Sequence, residues 1–473
     1  MPVEQLEEHA DKALELAKNF GVEYCDIRAE YNKSKIVHIE NGSIEHIKEI
    51  QEEGLGVRIL KGGAWGFCAI SDLNSDTLGS AVEKAYRNAE ISSNFKHNKV
   101  KIKTEKSHQR KIKFPIKKKS LLDEMISIGI ECDKIIRNRP QIIRSSVNVA
   151  SKRIDKYFVN SEGSKINQCY TDVTSDLAGT AHDNGLTQSV NTTEGGRGGI
   201  EQIINKKSVY DASEFVSQKA VSLLSAKPVK EQESTIIFNP DFVGLLTHEI
   251  LGHPSEADRV LGKEMAWAGG AWWKNKLGQR IGSENLTVFD DPTIKETLGW
   301  YYFDDEGIEA KKTELIRDGI LLNHFQNRET ASHFNTNPTA NMRATSYKFL
   351  PLIRMACTCI SPGDWDKDEM IKETKNGILV SNMKIPSIDM KRYNWSISCQ
   401  SAYKIENGEI SDMLRDVLVL GIAPNFFQSI DACGKDFEIR PITNCGKGDP
   451  MQIMRMGNGG PTVRSKATVK SIT

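Results

Sequence analysis

The chain has 473 residues with 63 basic and 63 acidic side chains, so no charge imbalance draws it toward nucleic acid or an anionic membrane. That length suffices for two or three domains, each burying its own core. No uninterrupted apolar run approaches the roughly 18 residues of a membrane span, and nine scattered cysteines do not form a secreted disulfide framework.

The N-terminal segment MPVEQLEEHADKALELAKNF reads as an acidic amphipathic helix, with Leu6, Ala10, Ala13, Leu14 and Ala17 at helical spacing. It does not resemble a secretory signal, and the expected location is the cytoplasm, with reduced thiols. Strands follow in CDIRAEY, SKIVHIENGSIEHIKEIQ and GLGVRILKGGAWGFCAI, with Asn41-Gly42 as a hairpin turn, and then a helix from about Asp76 to Ala89. Gly62, Gly63 and Gly66 read as turn residues, because no G-x-G-x-x-G phosphate cradle is present. The basic stretch KVKIKTEKSHQRKIKFPIKKK has Phe114 as its only aromatic, which makes it a solvated linker and not a nucleic-acid surface.

That linker sets the first expected boundary, giving an α+β domain over residues 1–110. A middle α+β domain, 111–230, starts with a helix from Ser120 to about Ile136. It continues through strands around IIRSSVNVAS, KRIDKYFVNS, SKINQCYTDVTSDLAGTAH and GLTQSVNTTEGG, and ends in a helix from about Ala212 to Leu224. Asn160 to Ser164 is a turn, and Cys169 and His182 lack partners at ligand spacing. The third region, 231–473, is strand-rich, with hairpins at Asp318-Gly319 and Asn407-Gly408 and a turn toward Asn327. The expected fold class is therefore α+β: an N-terminal α/β region, then a mainly antiparallel C-terminal domain carrying one chemically suggestive helix.

That helix follows the strand STIIF. Asn239 is a good N-cap, Pro240 suits the first helical position and Asp241 complements the helix dipole. Phe242, Val243, Leu245, Leu246, Ile250 and Leu251 supply more apolar surface than one exposed face needs, so burial is expected. The helix carries His248, Glu249 and His253 as H-E-x-x-x-H, two imidazoles that can bind a divalent metal and a carboxylate that can act as a base. Five residues rotate about 500° on an ideal α-helix, leaving the two rings about 140° apart. A π-type turn or unwinding at Gly252 is therefore required for them to share an ion. Without it, the string is a pair of core or capping histidines beside a salt-bridged glutamate. Two histidines also need a third ligand, and Glu256, Asp258, His324, Cys357, Cys359, Cys433 and Cys445 all offer one. The C-x-C pair reads first as a core pair on one strand face.

The segments HEILGHPSEAD, DDEGIEAKKTELIRDGIL, NMRATSYKFLPLIRM and NCGKGDPMQIMRMGNGGPTVR are similar to those of the TldD/PmbA family of metalloproteases, and the similarity spans nearly the whole chain. The intact H-E-x-x-x-H resembles the TldD type. The resemblance implies zinc held by His248, His253 and a C-terminal cysteine, with Glu249 as the catalytic base. The segment NCGKGDPMQ…GNGGPTVR selects Cys445 for that role, with Cys433, in the near twin CGKD, and Glu256 as the alternatives. The implied function is a zinc metalloprotease acting on unfolded or flexible polypeptides, as a homodimer or with a PmbA/TldE-type partner, without nucleic acid or membrane. A non-catalytic binding or regulatory subunit, and a zinc hydrolase of small amides, are the competing classes.

Overall fold

Asn41 and Gly42 take positive φ values of 51° and 86°, the two-residue geometry whose twist matches a β-hairpin. They join β1 (Tyr24–Glu40) to β2 (Ser43–Lys61), and Gly62 and Gly63 turn β2 into β3 (Ala64–Ile70). The computed structural model describes residues 3–205, 208–264 and 270–472. Four more strands, β4 (Gln109–Lys113), β5 (Ile142–Asn160), β6 (Lys165–Asp183) and β7 (Leu186–Arg197), belong to the same sheet. Its order is β3-β2-β1-β5-β6, with β4 and β7 both on the far edge of β6. The boundary expected near residue 110 therefore falls inside one continuous sheet. β1 pairs with β5 from Asp26–Asn160 to Glu40–Ser146, and either half alone would expose a long unpaired strand edge.

Helices cover one face of this sheet. α1 (Val3–Lys18) and α2 (Ser75–Phe95) bury Leu6, Ala10, Ala81 and Ala85 against Ile27 and Val57. α3 (Leu122–Ile136) and α4 (Val209–Ser222) bury Ile128, Ile136 and Val216 against Val147 and Leu177. α2 runs past the expected end at Ala89, its last buried residue, through an exposed continuation that carries Ile91 and Phe95. The opposite face is polar and meets the C-terminal region: Arg58 donates to Asp26 and Glu306, and Lys156 pairs with Asp305 at 2.8 Å.

Besides a two-stranded pairing of Met342–Arg343 with Leu352–Ile353, the C-terminal region forms two larger sheets. Its strands are β8 (Gln232–Phe238), β9 (Val288–Asp290), β10 (Thr313–Arg317), β11 (Ile320–Leu321), β12 (Cys357–Ile360) and β13 (Asn376–Ile388). They continue with β14 (Asn394–Glu406), β15 (Val417–Ile422), β16 (Glu438–Lys447), β17 (Gln452–Gly460) and β18 (Val463–Ser471). The path β13-β8-β18-β15-β14 returns to β13, so these strands close a small barrel, a solution to the exposed-edge problem that periodicity alone did not reveal. The second sheet runs β11-β10-β9-β12-β17-β16. Most pairings are antiparallel, as expected; β8–β13 and β12–β17 are parallel. A helix at Arg328–Phe334, read from sequence only as a turn, is started by a capping box between Asn327 and Thr330.

α5 (Pro240–Thr247) leaves β8 and lies buried between the barrel and β17. Gly244 permits that approach: a Cβ there would stand 3.0 Å from the Asn458 carbonyl oxygen on β17. Among the described residues no helix is long and apolar enough to cross a membrane.

Candidate metal centre

The end of α5 is distorted in the way the histidine spacing demands. The His253 N–H donates to the His248 carbonyl five residues back, so His248–Gly252 forms one π-type turn, and His253–Ser255 then tightens into a 3₁₀ turn. Five residues per hydrogen-bonded loop bring the two rings to the same side, with centroids 4.6 Å apart and planes at 79°. A Cβ at Gly252 would stand 1.9 Å from Met355 Sδ, so any side chain there would force Met355 to move. Cys445 arrives from β16, whose pairing with β17 is irregular between Ile442 and Cys445. Ligand atoms of His248, His253 and Cys445 all lie within 4.8 Å of one another, with Cys445 Sγ 3.5 Å from His253 Nε2.

Each imidazole is oriented from behind. His248 Nδ1 donates to Asn458 Oδ1 at 3.3 Å, and the Asn458 amide donates to the Thr358 carbonyl at 3.2 Å. His253 Nδ1 donates to Glu256 Oε2 at 3.2 Å. Both rings thus turn Nε2 toward the shared centre, the arrangement that outer carboxamides and carboxylates give metal-binding histidines. Glu256 is engaged in this bracing and is not the third member of the cluster. Burial alone would raise its pKa, but Lys447, His253 and Arg259 hold it well below the ordinary carboxylate range. Burial likewise works to raise the Cys445 thiol, and His248, His253 and Arg354 outweigh it, holding that thiol well below its usual value. Two imidazoles and one thiol predisposed to be a thiolate fit a zinc-type ion.

The other candidates lie elsewhere. Cys433 Sγ faces the Asn285 carbonyl at 3.5 Å, Cys357 and Cys359 are buried on β12, and Asp258 pairs with Lys447. His324 is buried against Phe334, and His182 pairs with Thr187 Oγ1. Glu249 lines a cavity of about 750 Å³ together with His248, His253 and Cys445. Its carboxylate accepts from Arg392, in the turn between β13 and β14. Asp176 and Thr193 of the N-terminal sheet close another wall. Arg392 and Asn458 escaped the sequence reading. Asn458 sat in the conspicuous GNGG string, while nothing in KRYN distinguished Arg392 from any exposed turn residue.

A family model described as the PmbA/TldA metallopeptidase C-terminal domain matches residues 231–471, and its companion, domain 1, matches residues 25–89. The chain belongs to the PmbA/TldD metallopeptidase family. The C-terminal match takes in His248, Glu249, His253 and Cys445 together. Among PmbA/TldD relatives, a metalloprotease of Methanocaldococcus jannaschii is 33% identical over 473 residues, covering 98% of this chain and 99% of that protein. A zinc metalloprotease TldD homolog of Saccharolobus solfataricus is 26% identical, covering 96% of this chain and 98% of its own length. The crystal structure of TldE from Thermococcus kodakarensis shares the fold, with a TM-score of 0.80 at 17% identity, over 98% of this chain and 100% of that one.

Proposed function

We propose that this PmbA/TldD chain is a cytoplasmic zinc metalloprotease that hydrolyses peptide bonds in unfolded or flexible polypeptides. The reading is carried by the convergence of His248, His253 and Cys445, beside Glu249, on the wall of one cavity. The relatives from M. jannaschii and S. solfataricus, named a metalloprotease and a zinc metalloprotease, support it. Held by His248, His253 and Cys445, a zinc ion supplies the Lewis acidity that amide hydrolysis needs at neutral pH.

The chain's own residues do the rest. Asn458 and Glu256 keep both imidazoles in the tautomer that leaves Nε2 free. Glu249 accepts a proton from the attacking water and delivers it to the departing amine, so the peptide bond is replaced by a carboxylate and an amine. A cavity of about 750 Å³ admits a few residues of extended chain and no folded domain. Met390, Met451 and Ile453 line the cavity yet stay largely exposed, an apolar rim that a second copy or a PmbA/TldE-type partner would cover in the dimer we propose.

The test compares zinc content and cleavage of an unstructured peptide in wild type and Glu249→Gln. One zinc per chain in both proteins, with cleavage lower by about a thousandfold in the variant, is the expected result. A zinc-free wild type, or undiminished cleavage by the variant, overturns the reading.

A further inference from the structure

Arg392 stands opposite Glu249, the proposed base. Its backbone has a φ of 60°, a conformation a non-glycine residue holds only where its surroundings impose it. Those surroundings are specific. The Asp389 carboxylate accepts the N–H groups of Lys391, Tyr393 and Asn394 and the Asn394 amide, at 3.0, 2.9, 2.8 and 2.7 Å. The Arg392 N–H donates to the Asp389 carbonyl, and the Trp272 N–H anchors the Lys391 carbonyl, each at 3.0 Å. The guanidinium is thereby fixed over the cavity by a braced turn. Its Nη1 donates to Glu249 Oε2, its Nε is enclosed without an acceptor among the described residues, and only 15% of the side chain is exposed.

This pairing does not survive the chemistry assigned to Glu249. The carboxylate that must act at the His248–His253–Cys445 cluster is the one held by Arg392, and when it leaves the guanidinium to act, a largely enclosed cation is left without a counter-ion. The other cavity carboxylates are not available as replacements. Asp389 is engaged in its own turn, and Asp176 accepts from Thr193 Oγ1 at 2.7 Å and from the Asn148 amide at 3.3 Å. Lys384, on the same hairpin wall, adds a second positive charge. A neutral peptide carbonyl cannot offset a full charge; a carboxylate can, and the planar guanidinium fork matches its two oxygens.

We propose that Arg392 is the recognition residue for a substrate carboxylate, which takes Glu249's place on the guanidinium and frees Glu249 to act. The proposal deepens the protease reading and rests on it for the role of Glu249, though carboxylate binding itself can be measured without turnover. Glu249 is the chain neighbour of His248, so the carboxylate lies within about one or two residues of the bond cleaved, each extended residue spanning about 3.5 Å. The favoured substrates are peptides cut close to a free C-terminus or close to an Asp or Glu side chain.

The test is fluorescence anisotropy with three labelled pentapeptides: a C-terminal acid, its C-terminal amide, and the amide carrying one internal Glu. Each is titrated into zinc-supplemented Glu249→Gln, whose turnover is expected to be about a thousandfold slower, and into Glu249→Gln combined with Arg392→Gln or Arg392→Lys. The expected result is that one carboxylate peptide binds about tenfold or more tightly than the plain amide, that Arg392→Gln abolishes the preference and that Arg392→Lys keeps part of it. Which peptide is preferred identifies the source of the carboxylate. Equal binding of all three peptides to Glu249→Gln, or a preference that survives Arg392→Gln, overturns the proposal. A preference lost with Arg392 in a protein whose wild type cleaves none of the peptides upholds the carboxylate site and removes the protease reading instead.

Discussion

The tripeptide Cys-Gly-Lys occurs at 433–435 and again at 445–447, and the two copies meet opposite environments. Cys433 pairs through its backbone with Val463 at the barrel edge, and burial pushes its thiol up to about 12. Its lysine, Lys435, is 57% exposed and pairs with Asp366 at the surface. Cys445 is just as buried but faces two imidazoles, which hold its thiol down. Its lysine, Lys447, is fully enclosed, paired with Asp258 and Glu256 and donating to the Ile353 carbonyl at 2.9 Å. Burial is common to the two thiols and not to the two lysines. What separates the thiols is the pair of imidazoles that the π-type turn over His248–Gly252, far away in sequence, brings to Cys445.

The largest expected effect breaks this contrast at the thiols. Cys445→Ser loses most of the bound zinc on dialysis, whereas Cys433→Ser retains wild-type occupancy, both read by elemental analysis of purified protein. Equal loss from the two variants, or loss from Cys433→Ser alone, would refute the ligand assignment. The lysines carry the next effect. Lys447→Met removes one partner of an enclosed ion-pair network and is expected to cost about 3–5 kcal/mol of folding stability in urea titration. Lys435→Met, at the surface, produces no measurable change.

Much of this was legible before the structure. Pro240 at the first helical position, the five-residue histidine spacing and the need for a break at Gly252 all follow from helix geometry, and the turn is there; Asn239 holds the N-cap position, but its amide donates to Ser381 Oγ and its side chain caps no backbone N–H. The Asn-Gly and Asp-Gly hairpins were equally plain, because φ > 0 at both positions leaves few other residues. The barrel closure and the single N-terminal sheet were not legible. Local alternation specifies that a strand has two faces, but not which distant strand completes its edge. Arg392 was hidden for a related reason: its role comes from a turn placed against Glu249 at a sequence separation of 143 residues.

A histidine sharpens the contrast from the side of burial without partners. His324 is enclosed, its Nδ1 meets no hydrogen-bond partner among the described residues, and burial lowers its pKa to about 4. Because the folded value lies below the unfolded one of about 6.5, the unfolded chain binds the extra proton first. The stability this histidine leaves intact above pH 6.5 is lost as pH falls toward 4, by about 3 kcal/mol over the whole window. Metal-free wild type and His324→Leu, compared by urea unfolding at pH 7 and pH 4.5, are expected to differ in that slope, with the variant flatter. Parallel slopes would mean the ring is not held neutral.

The smallest effect tests whether the centre depends on its bracing as well as its ligands. Asn458 accepts from His248 and donates to Thr358, two tasks that substitution can separate. Asn458→Ala removes both, and zinc affinity is expected to weaken by about 10- to 100-fold, measured by competition with a chromogenic chelator. Asn458→Asp keeps an acceptor for His248 Nδ1 but cannot donate to the Thr358 carbonyl, so it should lower folding stability while holding zinc more tightly than Asn458→Ala does. If the two variants lose zinc affinity equally, the His248 hydrogen bond does not contribute to binding, and the difference between the two Cys-Gly-Lys copies rests on the ligands alone.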